Sequence, residues 1–197
     1  MKTVNKVNYT GSLIDRKSFN NEYDRITVIS KNGKDVFVSF LCRKEKLENI
    51  SRKKVRVNIS GHIETHAEQI KSGAYVNKQH FYVDSIEESH TILENSFGVK
   101  GKFYPAPNAE VYIAGKLSDV RQEKDWYRYT VVVDDDVAER EPSTIVLSQR
   151  KLDRHPDLKA GDSICCVCSL STPQKKVGDN IVIHYEDLIV SDLAVVA

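Results

Sequence analysis

The chain has 197 residues, 40% hydrophobic and 29% charged, a balance that excludes disordered and fibrous classes and suits one large or two small globular domains. No run of about 18 apolar residues occurs and residues 1–11 hold no apolar core of the secretory kind, so a cytoplasmic protein without membrane span or signal peptide is expected. The net charge of +1 is unevenly spread: residues 1–98 carry 16 basic and 12 acidic side chains, +4, and residues 99–197 carry 13 and 16, −3.

The first strand is predicted over Val7–Asp15, where apolar residues fall at alternate positions through Val7, Tyr9, Gly11 and Leu13. Strands follow over Glu22–Ile29 and Val36–Cys42. Lys44–Ile50 is a polar stretch with sparse apolar anchors, long enough for a short helix. A fourth strand runs over Val55–Thr65, a polar loop over 66–79, and a last strand over His80–Ile86. The order then recurs. At an offset of 104, Val111–Asp119 lies over Val7–Asp15 and Trp126–Val133 over Glu22–Ile29. Ser143–Ser148, the stretch Arg150–Leu158, Asp162–Thr172, a loop at 173–179 and Asn180–Leu188 complete the second set. The glycine shared by the repeats, Gly11 and Gly115, predicts a bulge or sharp bend in each first strand.

Between the repeats, Ser89–Ala109 contains Pro105 and Pro107, which make a stiff approach to the second half. Its Ile92, Leu93, Phe97, Phe103 and Tyr104 predict partial packing on a neighbouring domain. The expected organisation is a domain at 1–88, a linker at 89–109 and a domain at 110–197. Three strands, a short helix and two strands, twice, is the order of an OB barrel. The fold class expected is therefore all-β, with two tandem five-stranded OB-fold barrels, each with a short helix between strands 3 and 4.

The opening Val4-Asn5-Lys6-Val7-Asn8-Tyr9-Thr10-Gly11-Ser12-Leu13 and the later Val55–Gly61 resemble bacterial single-stranded DNA-binding proteins and the related primosomal replication protein. The motif's recurrence at Val111–Leu117 extends the resemblance to roughly 165 of the 197 residues. The resemblance implies a largely sequence-independent, non-catalytic binder of single-stranded DNA in replication or recombination, here as a covalent duplication; the departure from the family's one-domain form points to service of a phage or mobile element. The family's acidic tail with a terminal Pro-Phe is not matched by Ser191–Ala197, so recruitment of partners through such a tail is not expected.

Single-strand binders need exposed rings for bases and cations for phosphates. Alternation places Ile26, Val28, Val36, Val38 and Phe40 inward and Tyr23, Arg25 and Phe37 outward, as a stacking and phosphate platform or, alternatively, a dimer contact. Arg43, Lys44, Lys46, Arg52, Lys53, Lys54 and Arg56 put seven cations in fourteen positions, either for phosphate contact or as a solvated face. Lys71, Tyr75 and Lys78 lie in a Gly-containing loop suited to a clamp or to a plain hairpin tip. The second repeat offers Lys116 and the run Trp126, Tyr127, Arg128 and Tyr129, followed by the acidic Asp134–Asp136, Glu139 and Glu141 that would repel phosphate.

Cys165, Cys166 and Cys168 lack a second ligand pair at zinc spacing, and alternation puts Cys166 and Cys168 on one strand face, which favours buried thiols over a metal site. His62-Ile63-Glu64 lacks the downstream cysteines of a zinc deaminase, and His155-Pro156-Asp157 reads as a turn. No Gly-rich nucleotide loop or nucleophile elbow is present, so no enzyme and no cofactor is expected. The expected partner is single-stranded DNA. The alternatives are single-stranded RNA on the same surface, or a scaffold whose outward rings meet a second copy or replication proteins.

Overall fold

The computed structural model describes residues 2–32, 34–50, 55–69, 73–89, 109–134, 140–151, 157–176 and 182–196. The fold is all-β. Two compact units are present, an N-terminal unit of residues 7–62 and 81–109 and a C-terminal unit of residues 1–6, 63–80 and 110–197.

The N-terminal unit takes β2 (Tyr23–Asn32), β3 (Lys34–Arg43) and the parts within residues 7–62 and 81–109 of β1 (Val4–Ser18), β4 (Val55–Gln69) and β5 (Tyr75–Glu88). β1 pairs antiparallel with β4 over Val7–Leu13 and with β2 over Ser12–Ser18. β2 pairs with β3 along its length, β3 runs parallel to β5 at Phe40 and Leu41, and β5 flanks β4. Each of the five strands thus has a neighbour on both sides over at least part of its length. Alternation at period two fills the interior with Val7, Tyr9, Leu13, Ile26, Val28, Val38, Phe40, Val57, Ile59 and Phe81. The Tyr9 and Phe40 rings lie 5.5 Å apart and Phe40 meets Phe81 edge-on at 5.8 Å. The Tyr9 hydroxyl donates to the Val36 carbonyl at 3.1 Å and lies 2.6 Å from Ser30 Oγ, and burial pushes its pKa up to about 12.

The C-terminal unit holds β6 (Ala109–Gln122), β7 (Trp126–Val133), β8 (Ser143–Arg150), β9 (Ser163–Ser171), the short hairpin β10 (Gln174–Lys176) and β11 (Val182–His184), and β12 (Asp187–Val196). β6 pairs with β7 and β9, β7 with β8, and β12 runs antiparallel to β9 and parallel to β8 at Ile189 and Ser148. Its interior holds Val111, Ile113, Leu117, Tyr129, Val131, Ile145, Leu147, Ile164 and Leu188. Cys166 and Cys168 also face inward while Cys165 is exposed, and burial pushes the Cys166 thiol up to about 12.

Four expectations are corrected. The last strand is Asp187–Val196, not Asn180–Leu188, because Leu188 and Val190 are the buried pair opposite Leu170 and Cys168. A register shift between Val190 and Asp192 interrupts the alternation there and hides the strand from a pattern search. The loop at 66–79 is largely strand: β4 continues to Gln69 and β5 starts at Tyr75. Polar cross-strand pairs, Glu68 to His80 at 2.7 Å and to Lys78 at 3.2 Å, hold this arm without an apolar pattern. Between β3 and β4 the expected helix is a single 3₁₀ turn over Lys44–Leu47; the counterpart expected within Arg150–Leu158 and the linker expected at 89–109 lie largely outside the described residues, which omit 152–156 and 90–108. Finally, the register shifts in β1 and β6 lie between Leu13 and Asp15 and between Leu117 and Asp119, beyond the shared glycines. Gly11 and Gly115 are instead points of close approach, where an added Cβ would sit 2.5 Å from the Ile29 carbonyl oxygen and 2.4 Å from that of Val132.

Candidate nucleic-acid interface

On β2, Asp24, Ile26 and Val28 are buried, so Tyr23, Arg25 and Thr27 take the opposite, outward face. Pairing sets Tyr23 opposite Arg43, Arg25 opposite Leu41 and Ile29 opposite Phe37. Arg43 Nε donates to the Tyr23 hydroxyl at 3.3 Å and its guanidinium lies 5.9 Å from the ring centroid, a cation–π pair across two strands. Beside it Arg25 covers the exposed Phe19 ring at 4.9 Å. Asn20 shapes the turn that presents Phe19, its Oδ1 accepting from the Glu22 and Tyr23 amides at 2.9 and 2.7 Å. Phe37 shares the outward face but lies four residues, about 13 Å, further along the strand pair than Arg25, so it does not join this cluster.

A cross-strand aromatic–arginine pair is also present in the C-terminal unit, one residue away from where the sequence repeat suggests. Asp15 pairs with Thr27 and Asp119 with Thr130, so β2 and β7 correspond at an offset of 103, not 104. A one-residue slip exchanges the two faces of a strand. Trp126 and Arg128 are therefore the outward counterparts of Tyr23 and Arg25, and Tyr127 and Tyr129 point the other way. Tyr129 is 0% exposed, its hydroxyl donates to Gln149 Oε1 at 2.6 Å, and burial raises its pKa; it is a core residue and not a binding ring. Tyr127 stacks parallel to it at 6.3 Å and is covered by Lys151 at 5.6 Å. Trp126 lies opposite Arg150, whose guanidinium is 5.4 Å from the ring centroid. Two aromatic–arginine pairs, Tyr23 with Arg43 and Trp126 with Arg150, thus occupy equivalent cross-strand positions.

Their surroundings differ in charge. Arg25 has Phe19 beneath it and no carboxylate partner among the described residues. At the position equivalent to Phe19 the C-terminal unit has Glu123, 3.7 Å from Arg128 Nε, and Asp187 Oδ1 accepts from Arg128 Nη1 at 3.1 Å. Arg128 also donates to the buried Ser148, which itself donates to Asp187 at 2.6 Å. Its charge is met by carboxylates of the chain itself. Arg128→Ala is accordingly expected to lower stability by about 2 kcal/mol by stranding Asp187, measured as a lower urea midpoint, while changing oligonucleotide affinity less than twofold.

The remaining predicted cations divide similarly. Lys44 Nζ donates to the Asn20 carbonyl at 2.6 Å and lies 3.9 Å from Asp24, and Lys46 donates to the Val83 and Asp84 carbonyls at 3.1 and 2.6 Å. Arg56 faces outward on β4 and its buried Nε has no hydrogen-bond partner among the described residues. Lys116 is exposed on β6, Lys78 pairs with Glu68, and Tyr75 is 70% exposed at the arm's tip. Arg52, Lys53, Lys54 and Lys71 lie outside the described residues. Phe19, Tyr82 and Arg150 are surface partners that the sequence reading did not include. The alternation of Phe81, Tyr82 and Val83 could have flagged Tyr82, whereas Arg150 needed the β7–β8 register.

No protein-family model and no curated protein sequence matches the chain. Among solved structures, the wild-type single-stranded DNA binding protein from Thermus aquaticus superimposes at a TM-score of 0.64 with 12% identity, covering 100% of this chain and 95% of that one. A deletion variant of the same protein gives 0.64 and 13%, covering 100% and 96%. The chain has the fold of these proteins. Mitochondrial single-stranded DNA binding protein from S. cerevisiae covers 45% of this chain at a TM-score of 0.35 with 12% identity. At 12–13% identity to the Thermus aquaticus proteins the fold is shared while the side chains on it are this chain's own, so the paired rings and arginines stand on their geometry.

Proposed function

We propose that this chain is a non-catalytic binder of single-stranded DNA built as two tandem OB barrels, acting in the cytoplasm where replication or recombination exposes single strands. The observation that carries the reading is the duplicated outward aromatic–arginine pair. A ring held beside a guanidinium offers a π-face to any base and a cation to the adjoining phosphate, which is the chemistry of sequence-tolerant single-strand recognition. The fold shared with single-stranded DNA binding proteins supports it. The N-terminal surface, with Arg25 and Arg43 uncommitted to buried carboxylates, takes the larger electrostatic share.

Trp126, the single tryptophan, reports directly on the C-terminal site. Titration with oligo-dT of increasing length, followed by Trp126 fluorescence and by anisotropy of a labelled strand at two salt concentrations, is expected to show quenching and affinity that falls steeply with salt. Duplex DNA should compete poorly because its bases are already stacked. Equal affinity for duplex would make the surface a mere phosphate binder, preferential binding of an RNA strand would move the assignment to RNA, and no binding at low salt would leave the paired rings as a protein-docking surface.

A further inference from the structure

The Tyr23 ring is held from one side by Arg43, and from the other by a relay that lies entirely within the N-terminal unit. Tyr82 on β5 meets Tyr23 edge-on, with ring centroids 5.7 Å apart and planes at 88°. His62 on β4 stacks flat on Tyr82 at 5.5 Å and 13°, and its Nδ1 lies 2.8 Å from Asp84 Oδ1. Asp84 is fixed in turn by its own backbone, whose carbonyl accepts from Lys46. His62 is buried, at 5% exposure, so it meets no ligand base itself. Its orientation is nevertheless locked from both sides.

We propose that Tyr82, clamped by His62 and Asp84, is a positioning residue that holds the Tyr23 ring ready for a base. This rests on the reading of Tyr23 as a stacking residue. A side chain immobilised only on binding loses affinity to its own ordering, and a ring already ordered in the free protein avoids that loss. The three side chains come from β2, β5 and β4, so the site is set by the closed arrangement of strands and not by the β2–β3 pair alone.

The test is a double-mutant cycle in the full chain, read as oligo-dT affinity, with thermal melting of each variant as the folding control. Tyr82→Leu should weaken binding about 2- to 10-fold, the range expected when one immobilised side chain is freed. Tyr82→Phe should restore wild-type affinity, since the ring and not its hydroxyl does the positioning. In the Tyr23→Ala background Tyr82→Leu should have no further effect. His62→Leu, which keeps the Tyr82 side chain but removes the ring that clamps it, should reproduce the loss and the coupling, and it carries the test if Tyr82→Leu does not fold. Undiminished affinity in both single variants overturns the proposal, as does a loss that adds fully to that of Tyr23→Ala, which would make Tyr82 a ligand contact. Absence of wild-type binding, or Tyr23→Ala without effect, instead removes the reading of the surface and the proposal with it.

Discussion

Gly61→Ala is expected to cost about 3 kcal/mol or more, enough to lower the melting temperature by over about 10 °C or to prevent folding of the N-terminal unit. Gly61 sits in β4 opposite Val7 of β1, with β5 passing on its other side. A Cβ there would lie 2.1 Å from the Tyr82 carbonyl oxygen and 3.2 Å from its carbon. The obstacle is backbone, so no rotamer change relieves it. Moving β5 away would disturb the parallel contact of Phe81 and Tyr82 with Phe40 and Leu41 that completes the ring of strands. Gly73 is the control: at φ +85° with nothing within 4 Å, its alanine variant incurs only local strain, about 1 kcal/mol. Thermal melts of the two variants beside wild type decide the matter. If Gly61→Ala melts with Gly73→Ala, β4 and β5 do not approach as closely as the structure has them.

Much of this architecture is legible from residue order, because a half-buried strand writes its faces at period two. Val36, Val38 and Phe40 against Phe37 and Ser39, or Ile26 and Val28 against Arg25 and Thr27, have only one sensible orientation. Trp126-Tyr127-Arg128-Tyr129 has two, since each aromatic can be core or surface. The turn before β7 is one residue shorter than the turn before β2, which changes the offset between repeats from 104 to 103 and reverses the faces. No local pattern marks that deletion. It becomes visible only through the pairing of Asp119 with Thr130. The arm formed by the ends of β4 and β5 was hidden for another reason: its strands are held by the Glu68–Lys78 ion pair and the Glu68–His80 hydrogen bond, which in sequence look like a solvated loop. Interaction partners such as Phe19 for Arg25 and Arg150 for Trp126 depend on turns and register, and so are properties of the folded chain.

Replacing both outward rings, Tyr23→Ala with Trp126→Ala, is expected to produce the largest loss of function. Each base stacked on an aromatic ring contributes about 1–3 kcal/mol, so each single variant should weaken oligo-dT binding by about 5- to 150-fold. For a strand long enough to engage both units the two losses should multiply, because the residues share no partner. For a strand that engages one unit only, the weaker site's variant should be silent. The salt dependence separates the two kinds of contact. Removing a ring leaves the number of neutralised phosphates unchanged, so the slope of log affinity against log salt should stay constant as affinity falls. Arg25→Ala should instead reduce that slope by about one unit, whereas Arg128→Ala should not, since Glu123 and Asp187 already neutralise it. Anisotropy titrations of the two single ring variants, the double variant, Arg25→Ala and Arg128→Ala at four salt concentrations, with short and long oligonucleotides, test these expectations together. A double variant that binds long strands as wild type does would show that the paired rings take no part in holding DNA.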